Sequence, residues 1–353
     1  MSVQASTPPA SLCLLRTSAL GDVSHVVPLV RTVQKHWPAT ALTWIVGKFE
    51  HKLVGDLPGV EFVVFDKRQG WKGWQAVRRA LNGRRFDALL HMQVALRSNL
   101  LSAAVSARRR IGYDAARSRD LHRLFIRERI AARSGEHVLD ALGSFLEPLG
   151  LRQTEVRWDL PVPDAAQSFA EEHLPGTVPT LIVSPCSSHR LRNWRPERYA
   201  AVMDQATQRG WRVVLCGGPS AYEREFGDAI GARLQRGAVI DLIGKDTLKQ
   251  LLALLRKADL VMTPDSGPMH LANAMGTAVL GLHAASNPHR SGPYSDRRWC
   301  VDRYDAAARR FRGKPASELR WGTKIEHEGV MDLIETDAVV ERFDAFAQAR
   351  GLP

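Results

Sequence analysis

Cysteine is scarce and scattered in this chain: Cys13, Cys186, Cys216 and Cys300 form no C-x-x-C pair. That spacing argues against a disulfide framework and a zinc site, and it fits a reducing cytoplasm. Long apolar runs are missing too, and no segment approaches the ~20 residues a membrane helix needs. The opening MSVQASTPPA has neither the basic nor the apolar region of a secretory signal and reads as a short disordered tail. Aromatic residues are only 7% of the chain, thin for base-stacking platforms, and no nucleic-acid-binding motif occurs. The first strand is not followed by G-x-G-x-x-G, and G-x-x-x-x-G-K-[ST] is absent, which counts against a dinucleotide dehydrogenase and a Walker ATPase. No G-x-S-x-G elbow supports a serine hydrolase. Cys186 is close to His189, but adjacency in sequence is not the geometry a Cys–His nucleophile requires.

What the chain does have is core material and basic charge. At 353 residues with 44% hydrophobic side chains, two globular domains are the natural expectation. The net charge of +12 is lopsided: residues 1–160 hold 24 Lys+Arg against 14 Asp+Glu, while residues 161–353 hold 25 against 23. Within Arg78–Arg133 alone there are 14 basic and 4 acidic residues. Such a segment is either a solvated face or the seat of an anionic partner: nucleic acid, a charged glycan or an acidic membrane surface.

Both halves alternate short apolar strands with helical patterns, which implies parallel sheets covered on both faces. In the first half the strands fall at Leu12–Arg16, Leu42–Val46, Phe62–Phe65 and Phe86–His91, with a weaker one at Arg110–Gly112, and a helix is expected over Ser24–His36. In the second they fall at Thr180–Ser184, Arg212–Cys216, Val239–Ile243, Asp259–Met262 and Ala278–His283. The proline-bearing stretch 161–178 reads as a linker between a domain at 1–160 and one at 179–335. Residues 302–328, rich in Arg, Lys and Gly, read as a long loop, and 336–353 as a final amphipathic helix.

Ligands of open α/β sheets bind beyond the carboxyl ends of the strands, and the polar clusters fall there. Two strand–turn–helix junctions stand out. In VMTPDSGPMHLANAMG (Val261–Gly276), Asp265 or Ser266 can cap a helix and Gly267 lets its backbone approach a ligand, with His270 one turn on. Helix N-termini of this kind suit a diphosphate. In LCLLRTSALGDVSHVV (Leu12–Val27), Asp22 is either the N-cap of the following helix or a carboxylate with a chemical role. Ser184–Ser188, Gly217–Ser220 and Gly244–Thr247 follow three further strands.

Together Arg16–Val23, Ser187-Ser188 with Arg192-Asn193-Trp194, Gly217-Gly218-Pro219 and Asp265–His270 resemble the lipopolysaccharide heptosyltransferases of glycosyltransferase family 9. The resemblance runs from about Leu12 to the last helix; its anchors, S-x-x-G-D-V and D-[ST]-G-x-x-H, are specific only in combination. It implies a GT-B architecture, two Rossmann-like α/β domains facing across a cleft, with the final helix packing back on the first domain. It also implies inverting heptose transfer from ADP-heptose, bound by the second domain, to an acceptor on the first.

By position, Asp22 matches the family's catalytic carboxylate, a base that takes the proton of an attacking hydroxyl. Ser187, Ser188, Arg192, Gly217, Gly218, Glu223, Lys245, Asp265, Ser266, Gly267 and His270 match or flank donor-contacting positions, with Glu223 near the ribose. Thr17, Ser18, Gln93, Arg97 and Arg119 match acceptor positions. Arg192 stands where the family commonly has lysine, which keeps the charge but turns a point into a planar fork. Pro268 replaces a usual leucine, and Ala19 a serine of some members. No D-x-D motif is present, so no metal or other cofactor is expected. The implied acceptor, Kdo-bearing lipid A or its heptosylated product, is an anionic glycolipid, which would account for the basic first half without nucleic acid. The expected location is the cytoplasm, with contact to the inner membrane's cytoplasmic face left open, as is the oligomeric state. A UDP- or GDP-sugar transferase or a nucleotide-sugar epimerase of the same architecture remains the alternative.

Overall fold

The computed structural model describes residues 7–353; of the expected tail at 1–10, residues 1–6 lie outside the described residues, while the carbonyls of Pro9 and Ala10 accept from the Thr40 hydroxyl and the Ala41 amide and so are tied to the fold. The chain divides between Pro161 and Val162 into two compact units. The first unit's strands are β1 (Ser11–Leu15), β2 (Ala41–Gly47), β3 (Val60–Phe65), β4 (Arg85–His91), β5 (Ser106–Gly112) and β6 (Glu128–Arg129). They form one parallel sheet in the order β3-β2-β1-β4-β5-β6. The second unit's are β7 (Thr180–Val183), β8 (Arg212–Leu215), β9 (Ile240–Asp241), β10 (Leu260–Pro264), β11 (Ala278–His283) and β12 (Val301–Asp302), in the order β12-β11-β10-β7-β8-β9. Counted from its own first strand, each unit has the doubly wound Rossmann order, so its crevice opens where the winding reverses. That point lies between β1 and β4 in the first unit and between β7 and β10 in the second.

The strands form because their apolar runs are buried on both faces: every residue of β7 and β10 is buried. Register places Leu15 beside His91 and Met262 beside Val183, so the loops after each pair emerge side by side.

Several sequence expectations need correction. The helix expected over Ser24–His36 is two helices, Leu20–Ser24 and Val27–His36. Residues 161–178 are not a bare linker. They carry the helix Asp164–His173, which packs on the helix Leu248–Lys257 through Ala166 and Ala170 and is tied by a Glu171–Lys257 ion pair. The stretch 302–328 holds the helix Tyr304–Arg312 with Tyr304, Ala307 and Ala308 buried. In both helices the buried face is mostly alanine, which gives periodicity little contrast to report.

The final helix, Thr336–Arg350, packs into the second unit. Val339, Phe343, Phe346 and Ala347 form its buried stripe. Phe343 meets Trp211 at 5.0 Å between ring centroids, Phe346 meets Trp299 at 5.3 Å, and Trp211 Nε1 donates to the Pro353 carbonyl at 2.8 Å. Two aromatic side chains of this size dominate local packing, so the helix stays where their partners are. Among the described residues no helix is long and apolar enough to cross a membrane.

Candidate active site

In the first unit the loop after β1 is locked by the loop after β4. Gln93 Oε1 accepts from the Thr17 amide at 2.8 Å and the Thr17 hydroxyl at 2.9 Å, and Gln93 Nε2 donates to Ser18 Oγ at 3.1 Å. Beside them Asp22 is the third residue of the helix Leu20–Ser24 and not the N-cap of the next one. Its carboxylate reaches back toward the Ala19 amide (3.5 Å) and forms an ion pair with Arg16. Arg16 is nearly buried and also donates to the Met92 carbonyl. Burial alone would lower the basicity of this guanidinium; Asp22 and Tyr113 outweigh that and raise it. Asp22 keeps 35% of its side-chain surface exposed, so it is held from behind and open in front.

Arg97 and Arg119 sit on neighbouring stretches after β4 and β5, joined by hydrogen bonds from the Leu96 amide to Asp120 Oδ2 (3.2 Å) and from Asn99 Nδ2 to the Asp120 carbonyl (2.7 Å). Both are exposed, and among the described residues neither forms an ion pair. Much of the basic segment around them behaves otherwise. Arg84, Arg108, Arg109, Arg117 and Arg133 pair with Glu61, Asp87, Glu128, Asp114 with Glu136, and Glu147. Arg110 spends its guanidinium on the carbonyls of Ser102, Val105 and Phe125. Several of these acids lie outside the segment in sequence, so counting charge along the chain overstates what is left for a partner.

In the second unit a buried carboxylate organises the site. Asp265 ends the turn after β10. Burial by itself would raise its carboxyl, but Lys324, His283, His270 and Arg192 overcome that and hold it at about 2. Arg192 Nη1 lies 3.9 Å from Asp265 Oδ2, its Nε donates to Glu326 Oε1 at 2.8 Å, and His270 Nε2 is 3.9 Å from Asp265 Oδ1. The next residue, Ser266, begins the helix Gly267–Ala274 but does not cap it by its side chain, and neither does Asp265. The Ser266 hydroxyl instead meets Thr263 Oγ1 at 2.8 Å. The first amides of that helix therefore keep their donors for a ligand.

The other donor candidates follow the same edge. Ser187 caps its own turn: its amide donates to Asn193 Oδ1 (2.7 Å) and its hydroxyl to the His189 carbonyl (2.9 Å), while Ser188 is exposed. Glu223 takes the Gly218 amide at 2.6 Å and the Ser220 hydroxyl at 3.2 Å. A Cβ on Gly218 would come within 2.8 Å of that carboxylate, and one on Gly217 within 3.1 Å, so a side chain at either position would press on Glu223. Lys245 is exposed and donates to the Asp241 carbonyl of its own turn (2.7 Å). Burial, then Glu223, pushes the neighbouring Asp246 up to about 6. The Cys186 thiol is pushed to about 12 by burial and Glu223, opposite to what a nucleophile needs.

Sequence reasoning missed Lys324, Glu326 and His283. The first two lie in the stretch read as loop, which the Ile325 amide pins to the Ala285 carbonyl at 2.8 Å. Nothing in their spacing announces this. His283 was placed on a strand but not in the site; its position at the end of β11, beside β10, was the available signal. Among the described residues no group of three or more His, Cys, Asp or Glu side chains converges as metal ligands would.

The chain as a whole matches known proteins. The profile of glycosyltransferase family 9 (heptosyltransferase) fits residues 74–320. The lipopolysaccharide core heptosyltransferase OpsX of Haemophilus influenzae is 40% identical over 332 residues, 94% of this chain and 95% of that protein. A solved family 9 glycosyltransferase from Veillonella parvula aligns with a TM-score of 0.80 at 21% identity, over 98% of this chain and 100% of its own. The E. coli heptosyltransferase WaaC with ADP aligns with a TM-score of 0.73 at 18% identity, over 96% and 100%.

Proposed function

Because this chain belongs to glycosyltransferase family 9, the heptosyltransferases, we propose that it moves heptose from ADP-heptose to the inner core of lipopolysaccharide, Kdo-lipid A or its heptosylated product, with inversion and without a metal. The observation that carries this reading is the cationic ring around Asp265 beside a helix start that no side chain caps.

The donor's diphosphate is assigned to that ring. Arg192, Lys324 and His270 supply positive or polar hydrogen, the Gly267–Ala274 helix supplies amides and the positive end of its dipole, and Asp265 and Glu326 hold the cations in place. Charge grows on the departing ADP as the glycosidic bond breaks, so donors fixed beforehand lower the barrier. Gly217 and Gly218 let the β8 turn approach the nucleoside, and Glu223, already oriented by Gly218 and Ser220, offers an acceptor to a ribose hydroxyl.

In the first unit Asp22 takes the acceptor's proton. Its ion pair with Arg16 fixes its direction. The hydroxyl becomes acidic as its oxygen bonds to the anomeric carbon, which eases the proton transfer. Attack from the side opposite the leaving diphosphate inverts that carbon. Thr17, Ser18 and Gln93 present hydroxyls and an amide to the acceptor, and Arg97 and Arg119 meet its carboxylates and phosphates. Incubating the protein with ADP-heptose and each truncated glycolipid should release ADP and add one heptose with inverted configuration by NMR. ADP release with a UDP- or GDP-sugar only, or retention, would sink the reading.

A further inference from the structure

We propose that the first unit carries a membrane-docking face: an apolar patch edged by unpaired arginines that seats on an anionic lipid surface. Its core is five large side chains left in solvent: Trp71 (64% exposed), Leu96, Leu100, Leu121 and Leu124 (68%). Bonds link the segments that carry them. Trp71 stacks on Trp74 at 4.4 Å between centroids, and Trp74 Nε1 donates to the Leu100 carbonyl at 3.1 Å. Leu96 opens the helix Leu96–Ser102 that bears Leu100, and its amide bonds Asp120, next to Leu121. A soluble chain rarely leaves so many large apolar groups contiguous without using them.

The loop is built to show them. Asp120 and Leu121 both hold positive φ, 49° and 63°, a conformation costly for leucine. Asn99 fixes them there through the Asp120 carbonyl and is itself clamped by His91 and His122, each at 2.8 Å. Folding thus pins an exposed leucine outward in a conformation that leucine disfavours.

Charge identifies the occupant. Arg97, Arg119 and Arg123 are exposed among these leucines and pair with no carboxylate among the described residues. Asp120, the acid in their midst, spends its carboxylate on the Leu96 amide. A second copy docked symmetrically here would set arginine against arginine. An anionic bilayer instead offers phosphates to the arginines and an interfacial layer where tryptophan and leucine bury. The patch follows β3, β4 and β5, on the sheet edge that bears Thr17, Asp22 and Gln93. On the function proposed above, on which its purpose rests, docking would present that edge to an acceptor anchored in the same bilayer.

The test is cosedimentation of the full chain with vesicles of phosphatidylglycerol and phosphatidylcholine, against phosphatidylcholine alone, with no donor or acceptor. The wild type should pellet with the anionic vesicles and be released as salt rises. The Trp71→Ser/Leu124→Gln double variant, checked for an unchanged melting profile, should bind at least about tenfold more weakly. It should keep wild-type transfer to a deacylated, soluble acceptor and lose rate only on acceptor embedded in vesicles. Equal binding to neutral vesicles, no binding, or full binding by the double variant overturns the proposal. So does lipid-free self-association that the double variant abolishes, which would make the face a contact between copies. Failure on vesicles leaves transfer to the soluble acceptor intact, so the two readings fall separately.

Discussion

The two units share one strand order and place polar residues at the same topological point, yet they fill it in opposite ways. In the first unit the site is braced by its own bonds: Gln93 ties Thr17 to Ser18, and Arg16 holds Asp22. In the second, Arg192, Lys324, His270 and His283 surround one carboxylate and leave a helix start uncapped. A proton acceptor needs a fixed direction and a modest field, whereas a diphosphate needs concentrated positive charge. On the function proposed, the same fold would serve both, because its crevice is made of loops, which the strands position but do not specify.

The largest effect should come from the first unit's carboxylate. Asp22→Asn keeps the shape and a hydrogen bond to Arg16 but cannot take a proton, so turnover should fall on the order of 10²–10⁴-fold with ADP affinity nearly unchanged. A variant retaining more than a tenth of wild-type kcat would reduce Asp22 to the fold's own ion pair and erase the contrast between the units.

Next is Arg192, held by Glu326 and Asp265. Arg192→Ala should cost about 2.7–4 kcal/mol of transition-state stabilisation, seen in kcat. Arg192→Lys should recover only part, since an ammonium cannot span both carboxylates as a fork does. If Lys restores everything, point charge alone matters at this position; if Ala costs nothing, the leaving group is stabilised elsewhere.

How much of this was legible in the sequence follows from the same physics. Apolar strand runs and the junctions at Leu12–Val27 and Val261–Gly276 report local structure, so the two parallel sheets and the loops at their switch points could be read. Lys324 and Glu326 could not, because a long excursion through the Tyr304–Arg312 helix brings them back to Asp265 and no local period encodes it. The basic segment misled for a related reason. Glu61, Glu136 and Glu147, which neutralise Arg84, Arg117 and Arg133, are distant in sequence and near in space. The final helix was legible as a helix, but its docking depended on Trp211 and Trp299, which sequence alone does not pair with it.

Acid should act with opposite sign on two groups of side chains, one in each unit. Burial holds His91 at about 3, with His122 adding to the effect, and burial holds His122 at about 4. Between pH 6.5 and these values the unfolded chain takes up protons that the folded first unit refuses, so stability falls as pH falls. The slope is up to about 1.4 kcal/mol per pH unit for each histidine. Asp246, raised to about 6, has the opposite sign: the folded second unit binds a proton the unfolded chain has released, so acidification from pH 6 toward 3.8 favours it. Urea unfolding from pH 7 to 5 should therefore show a shallower acid loss in His91→Gln and a steeper one in Asp246→Asn. Equal slopes in all three proteins would refute the assignment, whatever their absolute stabilities.

Charge reversal at Arg97 or Arg119 should act more weakly, because both are exposed and screened. Each should raise the acceptor KM several-fold and make it less sensitive to salt, with the donor KM unmoved. If the donor KM rises instead, these arginines serve the nucleotide and the division of labour between the units fails.

Chelation should have the smallest effect of all, none. The second unit supplies Arg192, Lys324, His270 and the amides of Gly267–Ala274 around the place assigned to the diphosphate. A divalent ion would neutralise the same two or so charges, so it is redundant if those cations hold the phosphates and indispensable if they do not. After dialysis against EDTA, turnover at saturating ADP-heptose should match the untreated protein. The same test on Arg192→Ala sharpens the comparison, since there an added Mg²⁺ has a missing charge to replace. Loss of wild-type turnover in chelator, restored by Mg²⁺ or Mn²⁺, would mean that the ring around Asp265 positions a metal complex and does not itself stabilise the leaving group.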